Sequence, residues 1–187
     1  MGTVVQEKTH AKLGPSGAHQ WANCPGSVTL SRGIADRVGD AARWGTAAHE
    51  LSAIILEPYN GATLTAASIV EIAGLDAESY LGRVFTVDGK DYEVDGEMAT
   101  CVNDYISRAV EYMDAGDILF VEQELSIEHI TGEKNATGTS DLVLIKPATR
   151  TIVVIDLKTG RGVMVYAEGN EQCAMYGEAA RYSLDPI

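Results

Sequence analysis

Charged residues interrupt two apolar segments near the end of the chain, and this feature constrains the fold most. The segments GTSDLVLIK and TIVVIDLKTG have β-branched and apolar runs bounded by Gly and Pro, as is typical of buried strands, and a turn at residues 147–150 separates them. Paired as a hairpin, these strands bring Asp141 close to Asp156 and Lys158. A charge is costly to bury unless it is paired or bound to a metal. The pattern therefore predicts a charged site at one end of the hairpin.

Two interpretations of the Asp156-x-Lys158 pair remain open on the hairpin alone. Strands often end in polar residues, so Asp156 and Lys158 could form a salt bridge at the rim of the sheet and serve only the structure. With Asp141 as a second carboxylate, the same residues instead outline the site of a metal-dependent phosphodiesterase. The neighbouring segments bear on the choice.

A helix is predicted after the hairpin. The segment from residue 166 to 182 is rich in Ala, Glu, Gln, Met and Tyr, and it predicts a helix that begins near Glu168. Gln172 and Tyr176 are four residues apart, so they share one helix face with Glu168. That face is expected to project toward the end of the hairpin strands.

Another helix is predicted upstream, over residues 43–56, where apolar residues recur at helical spacing. Its small residues Gly45, Ala47 and Ala48 allow a neighbouring segment to approach closely. His49 lies one turn after Gly45. A lone histidine on such a helix is more often a packing or surface group than a metal ligand, so its assignment depends on the other motifs.

Two further carboxylates lie on the strand-like segment ILFVEQELSI. Glu122 and Glu124 alternate with apolar residues, which places both on one face of a strand. Either could join a metal shell directly or through water, although a solvated strand face is the commoner meaning of the pattern. We treat both as second-rank metal ligands.

Four motifs, taken in chain order, resemble the series found in RecB-like exonucleases of the PD-(D/E)XK nuclease superfamily. They are Gly45-x-x-x-His49, GTSD ending at Asp141, DLKTG beginning at Asp156, and Gln172-x-x-x-Tyr176. The chain is also similar to a group of phage and prophage proteins of unassigned function, which share WANCPGS from Trp21 and the segment IDLKTGRGVMVYAEGNEQ. The resemblance covers nearly the whole chain. It implies an α/β fold with a restriction-endonuclease-like core, in which helices flank a central mixed sheet.

The resemblance also implies a metal site. Its ligands to Mg²⁺ or Mn²⁺ would be the side chains of His49, Asp141 and Asp156 and the backbone carbonyl of Leu157. Oxygen ligands suit these cations, and one imidazole favours Mn²⁺ without excluding Mg²⁺.

Catalytic roles follow from the same resemblance. Lys158 would orient the attacking water and support the charge that grows on the phosphate, while Gln172 and Tyr176 would position the scissile strand. With the two aspartates, the expected catalytic residues are Asp141, Asp156, Lys158, Gln172 and Tyr176.

Some relatives bind an iron–sulfur cluster through four cysteines, one ahead of the histidine helix and three after the last motif helix. Cys24 matches the first of these positions, but Cys101 and Cys173 lie elsewhere. A four-thiolate cluster cannot be held by one suitably placed ligand. We expect no iron–sulfur cluster, and we interpret Cys24 as a small buried residue at a helix end.

Charge is distributed unevenly along the chain. The 187 residues have a formal net charge of −13, which looks unsuited to DNA, because DNA binding normally depends on Lys and Arg. Residues 1–56 carry +1 and residues 129–187 carry −1, so the acidity belongs to residues 57–128, which carry −13. The segments with the motifs are therefore nearly neutral before a metal is bound. Eight cations are available to line a DNA track: Lys12, Arg32, Arg37, Arg43, Lys134, Lys146, Arg161 and Arg181.

The chain is predicted to be a single RecB-like nuclease domain over residues 1–187, with an acidic insertion or a helical and hairpin subregion at residues 57–117. That subregion is predicted to contain a short helix at residues 66–72, a hairpin that turns at Asp88-Gly89, and a helix at residues 98–113. Tyr112 is expected on the apolar face of the latter helix. The acidic surface would turn away from DNA, or contact a basic protein partner or another subunit.

Cytoplasmic localisation is expected, in the bacterial host if a phage encodes the chain. No segment approaches the roughly 18 apolar residues of a membrane span, and the first residues lack a secretory apolar segment. Three widely spaced cysteines do not form a disulfide framework. We expect no membrane partner.

Together, these features predict a metal-dependent DNA nuclease, expected in particular as a phage-type exonuclease in DNA processing or recombination. Its partner would be DNA, and a homo-oligomer would help an acidic subunit to hold it. Two alternatives remain: a nuclease-fold module that binds without turnover, and an acidic DNA mimic whose residues 57–128 bind a basic protein. Strand preference, polarity and exonuclease or endonuclease action are not determined by the sequence.

Overall fold

A computed structural model of the chain describes residues 11–34, 38–159 and 165–184. The α-helices in these ranges are α1 (Ala18–Asn23), α2 (Ser27–Leu30), α3 (Asp40–Leu56), α4 (Ala66–Ala73), α5 (Gly96–Val110), α6 (Glu128–Thr131) and α7 (Glu171–Leu184). The strands are β1 (Ala62–Thr63), β2 (Val84–Val87), β3 (Lys90–Glu93), β4 (Ile118–Ser126), β5 (Thr137–Lys146) and β6 (Thr151–Ile155). Short 3₁₀ helices lie at Pro15–Gly17, Glu57–Tyr59 and Ala77–Tyr80. None of these helices is long and apolar enough to cross a membrane.

The main sheet has four strands in the order β1-β4-β5-β6. The predicted meander of β4, β5 and β6 is confirmed, with Phe120 opposite Val143 and Val143 opposite Val154. The expectation of a mixed sheet is wrong for the strands that the structure describes, because every pair in this sheet is antiparallel. Short connections turn the chain straight back after β4 and after β5, which only antiparallel pairing allows. The protein is an α/β fold in which helices pack on this sheet.

Glu122 interrupts the regular alternation of β4. Its φ of 47° lies in the left-handed region, where a non-glycine residue is disfavoured by about 1–2 kcal/mol. The neighbouring pairs, Val121 with Leu142 and Gln123 with Ser140, keep their register across this point. Before it, Leu119 and Val121 pack into one hydrophobic core, and after it the odd-numbered Leu125 packs into the other. The backbone at Glu122 therefore switches the strand between the two faces.

The first of these cores joins the acidic subregion to the rest of the fold. Leu64, Ile72 and Phe85 from that subregion pack into the same cluster as Leu51 of α3 and Leu144 of β5. The second core lies under α7, where Met175 and Ala179 pack with Val143 and Ile145. The two helices that carry the predicted site residues, α3 and α7, are thus attached to different cores.

The elements predicted for the acidic subregion are present. Asp88 and Gly89 form the turn between β2 and β3 with φ of 49° and 74°. The helix predicted for residues 98–113 begins at Gly96, after Asp95 accepts a hydrogen bond from the Met98 amide, and ends at Val110. The expectation that Tyr112 lies on its apolar face is wrong: Tyr112 follows the end of the helix and is 54% exposed.

The helix predicted from Glu168 begins later, at Glu171. Gly169 has a φ of 68°, which breaks a helical path, and the Asn170 side chain then accepts a hydrogen bond from the Cys173 amide at 3.0 Å. An asparagine in this position caps a helix start. Glu168 is therefore exposed and outside the helix, and its predicted place on the face of Gln172 is wrong.

Candidate metal centre

Three side chains from three elements converge at the predicted site. His49 lies in the middle of α3, Asp141 lies on β5, and Glu122 stands on β4 directly across from Asp141 in the strand register. Their ligand atoms all lie within 4.8 Å of one another. His49 Nδ1 is 3.1 Å from Asp141 Oδ1. Glu122 is thus both a member of the cluster and a residue with a left-handed backbone, and strained backbone of this kind often occurs at functional sites.

The Asp141 carboxylate is held from two sides. While Oδ1 faces His49, Oδ2 accepts a hydrogen bond from the backbone amide of Leu157 at 2.7 Å. The Asp141 side chain is only 11% exposed. The end of β6 therefore fixes the carboxylate on β5, as the hairpin prediction required.

Asp156, Lys158 and Gln172 form a second group beside the first. Lys158 Nζ lies 2.6 Å from Asp156 Oδ2 in an ion pair and donates to Gln172 Oε1 at 3.1 Å. Gln172 Nε2 in turn donates to Asp156 Oδ1 at 2.8 Å. The Asp156 side chain is 7% exposed, whereas that of Lys158 is 46% exposed. The group thus has a buried carboxylate and an accessible ammonium.

Electrostatics couple the two groups. Burial, and then the neighbouring Asp141 carboxylate, raises the pKa of Glu122 to about 7, although the residue as a whole is exposed. Burial also raises the pKa of Asp156, against the opposing effect of Lys158. Burial alone would lower the pKa of His49, but the hydrogen bond and charge of Asp141 outweigh it, so this pKa is raised. The cluster holds more negative charge than its surroundings stabilise.

The donor set of the cluster suits a divalent cation. Two carboxylates and one imidazole match hard or borderline metals such as Mg²⁺ and Mn²⁺, and a cation would offset the burial and the Asp141 charge that raise the pKa of Glu122. The cluster contains Glu122, predicted as a second-rank ligand, while the oxygens of Asp156 face Lys158 and Gln172. Glu124 lies outside the cluster and lines a neighbouring groove.

Tyr176 links α7 to the strand that carries Asp141. It is buried, four residues after Gln172 as predicted, and it packs over Gly138. A methyl group at Gly138 would lie 3.1 Å from Tyr176 Cε1 and 2.7 Å from Pro15 Cγ. The glycine of the GTSD motif therefore allows two neighbours to contact the strand closely.

Gly45 has a similar role on α3. A methyl group there would lie 3.0 Å from Thr159 Oγ1, the residue after Lys158. The small residue of the Gly-x-x-x-His motif thus lets the end of the Asp156–Lys158 segment rest on the histidine helix. The sequence predicted a close approach at this helix, and the structure identifies the neighbour.

We expect Gly45→Ala and Gly177→Ala to have opposite effects on the stability of the protein. Alanine is favoured over glycine within a helix by about 0.5–1 kcal/mol, and nothing lies within 4 Å of a methyl group at Gly177. Gly177→Ala should therefore raise the melting temperature by about 2–4 °C. Gly45→Ala should not, because Thr159 must shift, and a shift next to Lys158 should slow any reaction at the site. Equal stabilisation of the two variants would contradict the Thr159 contact.

The shared segment WANCPGS supports α7. Asn23 Nδ2 donates to Glu171 Oε1 at 3.1 Å, and His19 Nδ1 lies 3.2 Å from the same carboxylate. Glu171 directly precedes Gln172, so the N-terminal motif fixes the start of the helix that completes the site. Cys24 follows α1, as predicted, but it is exposed, so its predicted burial is wrong. Its backbone amide donates to the Gln20 carbonyl at the end of the helix.

Sequence reasoning missed Tyr105. Its hydroxyl is buried on α5 without a hydrogen-bond partner among the described residues. Burial, followed by the charges of Asp141, Glu122 and Asp156, raises its pKa well above the ordinary value. Helical periodicity explains the burial of Tyr105 on α5, but it does not reveal what a buried hydroxyl faces.

Comparison with known proteins identifies a family but no structural relative. The model of a family described as "Protein of unknown function (DUF2800)" matches residues 10–187. No solved structure matches the chain. The chemistry of the site therefore carries the functional conclusion.

Proposed function

We propose that this chain, which belongs to the DUF2800 family, is a metal-dependent deoxyribonuclease. We also propose that α3, the β4–β5–β6 meander and α7 form a PD-(D/E)XK core within a single domain. The observation that carries the proposal is the convergence of His49, Glu122 and Asp141 beside the Asp156–Lys158–Gln172 group. The resemblance of the four motifs, noted from the sequence, points to the same reaction.

The residues present fit a Mg²⁺ or Mn²⁺ ion. His49, Glu122 and Asp141 would hold it, with the Asp156 carboxylate and the Leu157 backbone close by. When bound, the ion would supply a Lewis acid at the scissile phosphate. The protein would then need no covalent nucleophile.

Lys158 is the cation of the candidate site that would contact the scissile phosphate. Its ammonium is held at 2.6 Å from Asp156 and 3.1 Å from Gln172, yet it is 46% exposed. A fixed and accessible ammonium can stabilise the negative charge that grows on a phosphate oxygen and orient the attacking water. Gln172 keeps the ammonium and the Asp156 carboxylate in one geometry, and Tyr176 orders the helix behind them.

A cleavage assay tests the proposal. End-labelled linear DNA and closed-circular DNA are incubated with the purified protein in Mn²⁺, Mg²⁺ or EDTA, beside an Asp141→Asn variant that reports contaminating nuclease. We expect metal-dependent loss of linear DNA that the variant lacks. Loss of linear DNA alone identifies an exonuclease, and cutting of the circle identifies an endonuclease. A folded protein that cleaves neither DNA with either metal would contradict the proposal and favour a binding module.

A further inference from the structure

A groove lies beside the candidate metal centre, between the N-terminal helices and the sheet. Its volume is about 830 Å³. One wall comes from the segment around Pro15–Gly17, α1 and α2, and the other from β5 and α7. Five serine and threonine side chains line it, as do two cations, Lys12 and Arg32, and one carboxylate, Glu124. In a chain of net charge −13, this lining has an excess of positive charge.

Lys12 and Arg32 are the two cations that line the groove, whereas Lys134, another candidate for a DNA track, lies outside it. Three further candidates for a DNA track are engaged in ion pairs elsewhere: Arg43 pairs with Asp88 at 3.1 Å, Lys146 with Asp117 at 2.5 Å and Arg181 with Glu178 at 2.6 Å. Arg37 and Arg161 lie outside the described residues. Within those residues, neither Lys12 nor Arg32 has an ion-pair partner, so both can contact phosphate.

The groove borders the candidate site. Tyr176, Gly138 and Thr139 line it, and Thr139 is two residues before Asp141 on the same strand. Tyr176 is one turn after Gln172, which holds Asp156 and Lys158 together. A polymer lying in the groove would therefore pass close to the proposed scissile position.

The dimensions and lining of the groove fit one strand of nucleic acid. Its volume lies in the range of small-ligand pockets, roughly 300–1,000 Å³, which suits the contact of a few nucleotides of one strand. Trp21 lines it, with Nε1 donating to the Gly14 carbonyl at 3.0 Å, and Val28 and Ile34 add apolar surface. A cationic groove that also offers an aromatic ring and apolar surface is the usual combination for single strands.

We propose that this groove binds a single strand of DNA and leads it to the metal centre. This inference rests on the proposed nuclease function and specifies its substrate as single-stranded DNA or the frayed strand of a duplex end. Lys12 and Arg32 would contact phosphates, and the apolar wall with Trp21 would contact bases.

Binding measured without metal tests the groove separately from catalysis. A fluorescein-labelled single strand of about 12 nucleotides is titrated in EDTA at several salt concentrations, with anisotropy as the readout. The variants are Lys12→Ala/Arg32→Ala and, as a control with the same charge change, Arg108→Ala/Arg150→Ala. The control residues are exposed on α5 and in the β5–β6 turn, outside the groove. Ser31→Glu adds a negative charge inside the groove as an independent variant.

We expect the groove double variant to bind the single strand about tenfold more weakly, with a salt slope lower by about 1.4, because each lost phosphate contact on a single strand removes about 0.7. Ser31→Glu should also weaken binding, and the control should match the wild type. Three results would overturn the inference: no binding by the wild type, equal binding by the groove variants, or equal losses for a duplex of the same length. The binding assay does not depend on cleavage. If the protein cleaves DNA but the groove variants bind the single strand like the wild type, the groove proposal is refuted and the nuclease proposal stands.

Discussion

Asp141→Asn is expected to lower metal-dependent DNA cleavage about a thousandfold, equivalent to about 4 kcal/mol of transition-state stabilisation. Asp141 is the residue that all parts of the site share: it faces His49, accepts the Leu157 amide and stands across from Glu122. Asparagine keeps the size of the side chain and can still accept the Leu157 hydrogen bond. The substitution therefore removes the charge that would bind a cation while preserving the hairpin.

The measurement compares initial cleavage rates in Mn²⁺ for Asp141→Asn, the wild type and Asp104→Asn. Asp104 is exposed on α5, so its substitution makes the same charge change away from the cluster. Melting temperatures of all three proteins establish that each is folded. If Asp141→Asn is folded and cleaves at the rate of Asp104→Asn, the reaction takes place elsewhere or Asp141 does not bind the metal.

The hairpin, α3 and the face of α7 could be predicted from the sequence because each depends on local periodicity. Strand alternation and the turn at residues 147–150 predicted the β5–β6 pair, and this pair alone brings Asp141 to the Leu157 amide. Spacing of four residues predicted the shared face of Gln172 and Tyr176. Contacts within one element or between adjoining strands are encoded by nearby residues, so they were predictable.

The parts that could not be predicted depend on backbone conformation or on distant contacts. Glu122 and Glu124 show the same alternation with apolar residues in the sequence. In the structure Glu122 joins the metal cluster and Glu124 lines the groove, and the left-handed φ of Glu122 is the feature that distinguishes them. The role of Asn23 required knowledge of where Glu171 lies, 148 residues later. Likewise, nothing local indicates that Gly45 faces Thr159. Tertiary packing decides such contacts, and a single sequence does not encode them in any periodicity.

Glu122→Gln is expected to stabilise the metal-free protein at neutral and higher pH and to weaken metal binding. The pKa of Glu122 in the folded protein is about 7, raised from 4.5, so folding favours its protonated form. The stability that the protonated form contributes is present below pH 4.5 and is lost as the pH rises through 7. Glutamine does not titrate and resembles the protonated acid. The variant should therefore keep at pH 8 the stability that the wild type has lost.

The size of this effect is limited by solvent. Glu122 is exposed as a residue, so solvent screens its charge and the raised pKa corresponds to a smaller stability difference than a buried group would give. We expect Glu122→Gln to be more stable than the wild type by about 1 kcal/mol, or about 2–4 °C in melting temperature, at pH 8 in EDTA. Toward pH 5 the difference should shrink. Glu93→Gln, on the exposed strand β3, makes the same charge change outside the cluster and should show no such pH dependence. A pH-independent difference for Glu122→Gln would mean that the carboxylate is not destabilised by burial and by its charged neighbours.

In Mn²⁺ the wild type should become more stable than Glu122→Gln, the reverse of their order without metal. A ligand that binds only the folded state stabilises it according to its concentration relative to Kd, so loss of one carboxylate ligand should reduce the melting shift that Mn²⁺ produces. A tenfold loss of affinity corresponds to about 1.4 kcal/mol, enough to cancel the gain of the metal-free variant. The repulsion that destabilises Glu122 beside Asp141 without metal is the same interaction that would attract a cation. If Mn²⁺ raises the melting temperature of both proteins equally, Glu122 is not a ligand, and the strain at its left-handed backbone needs another explanation.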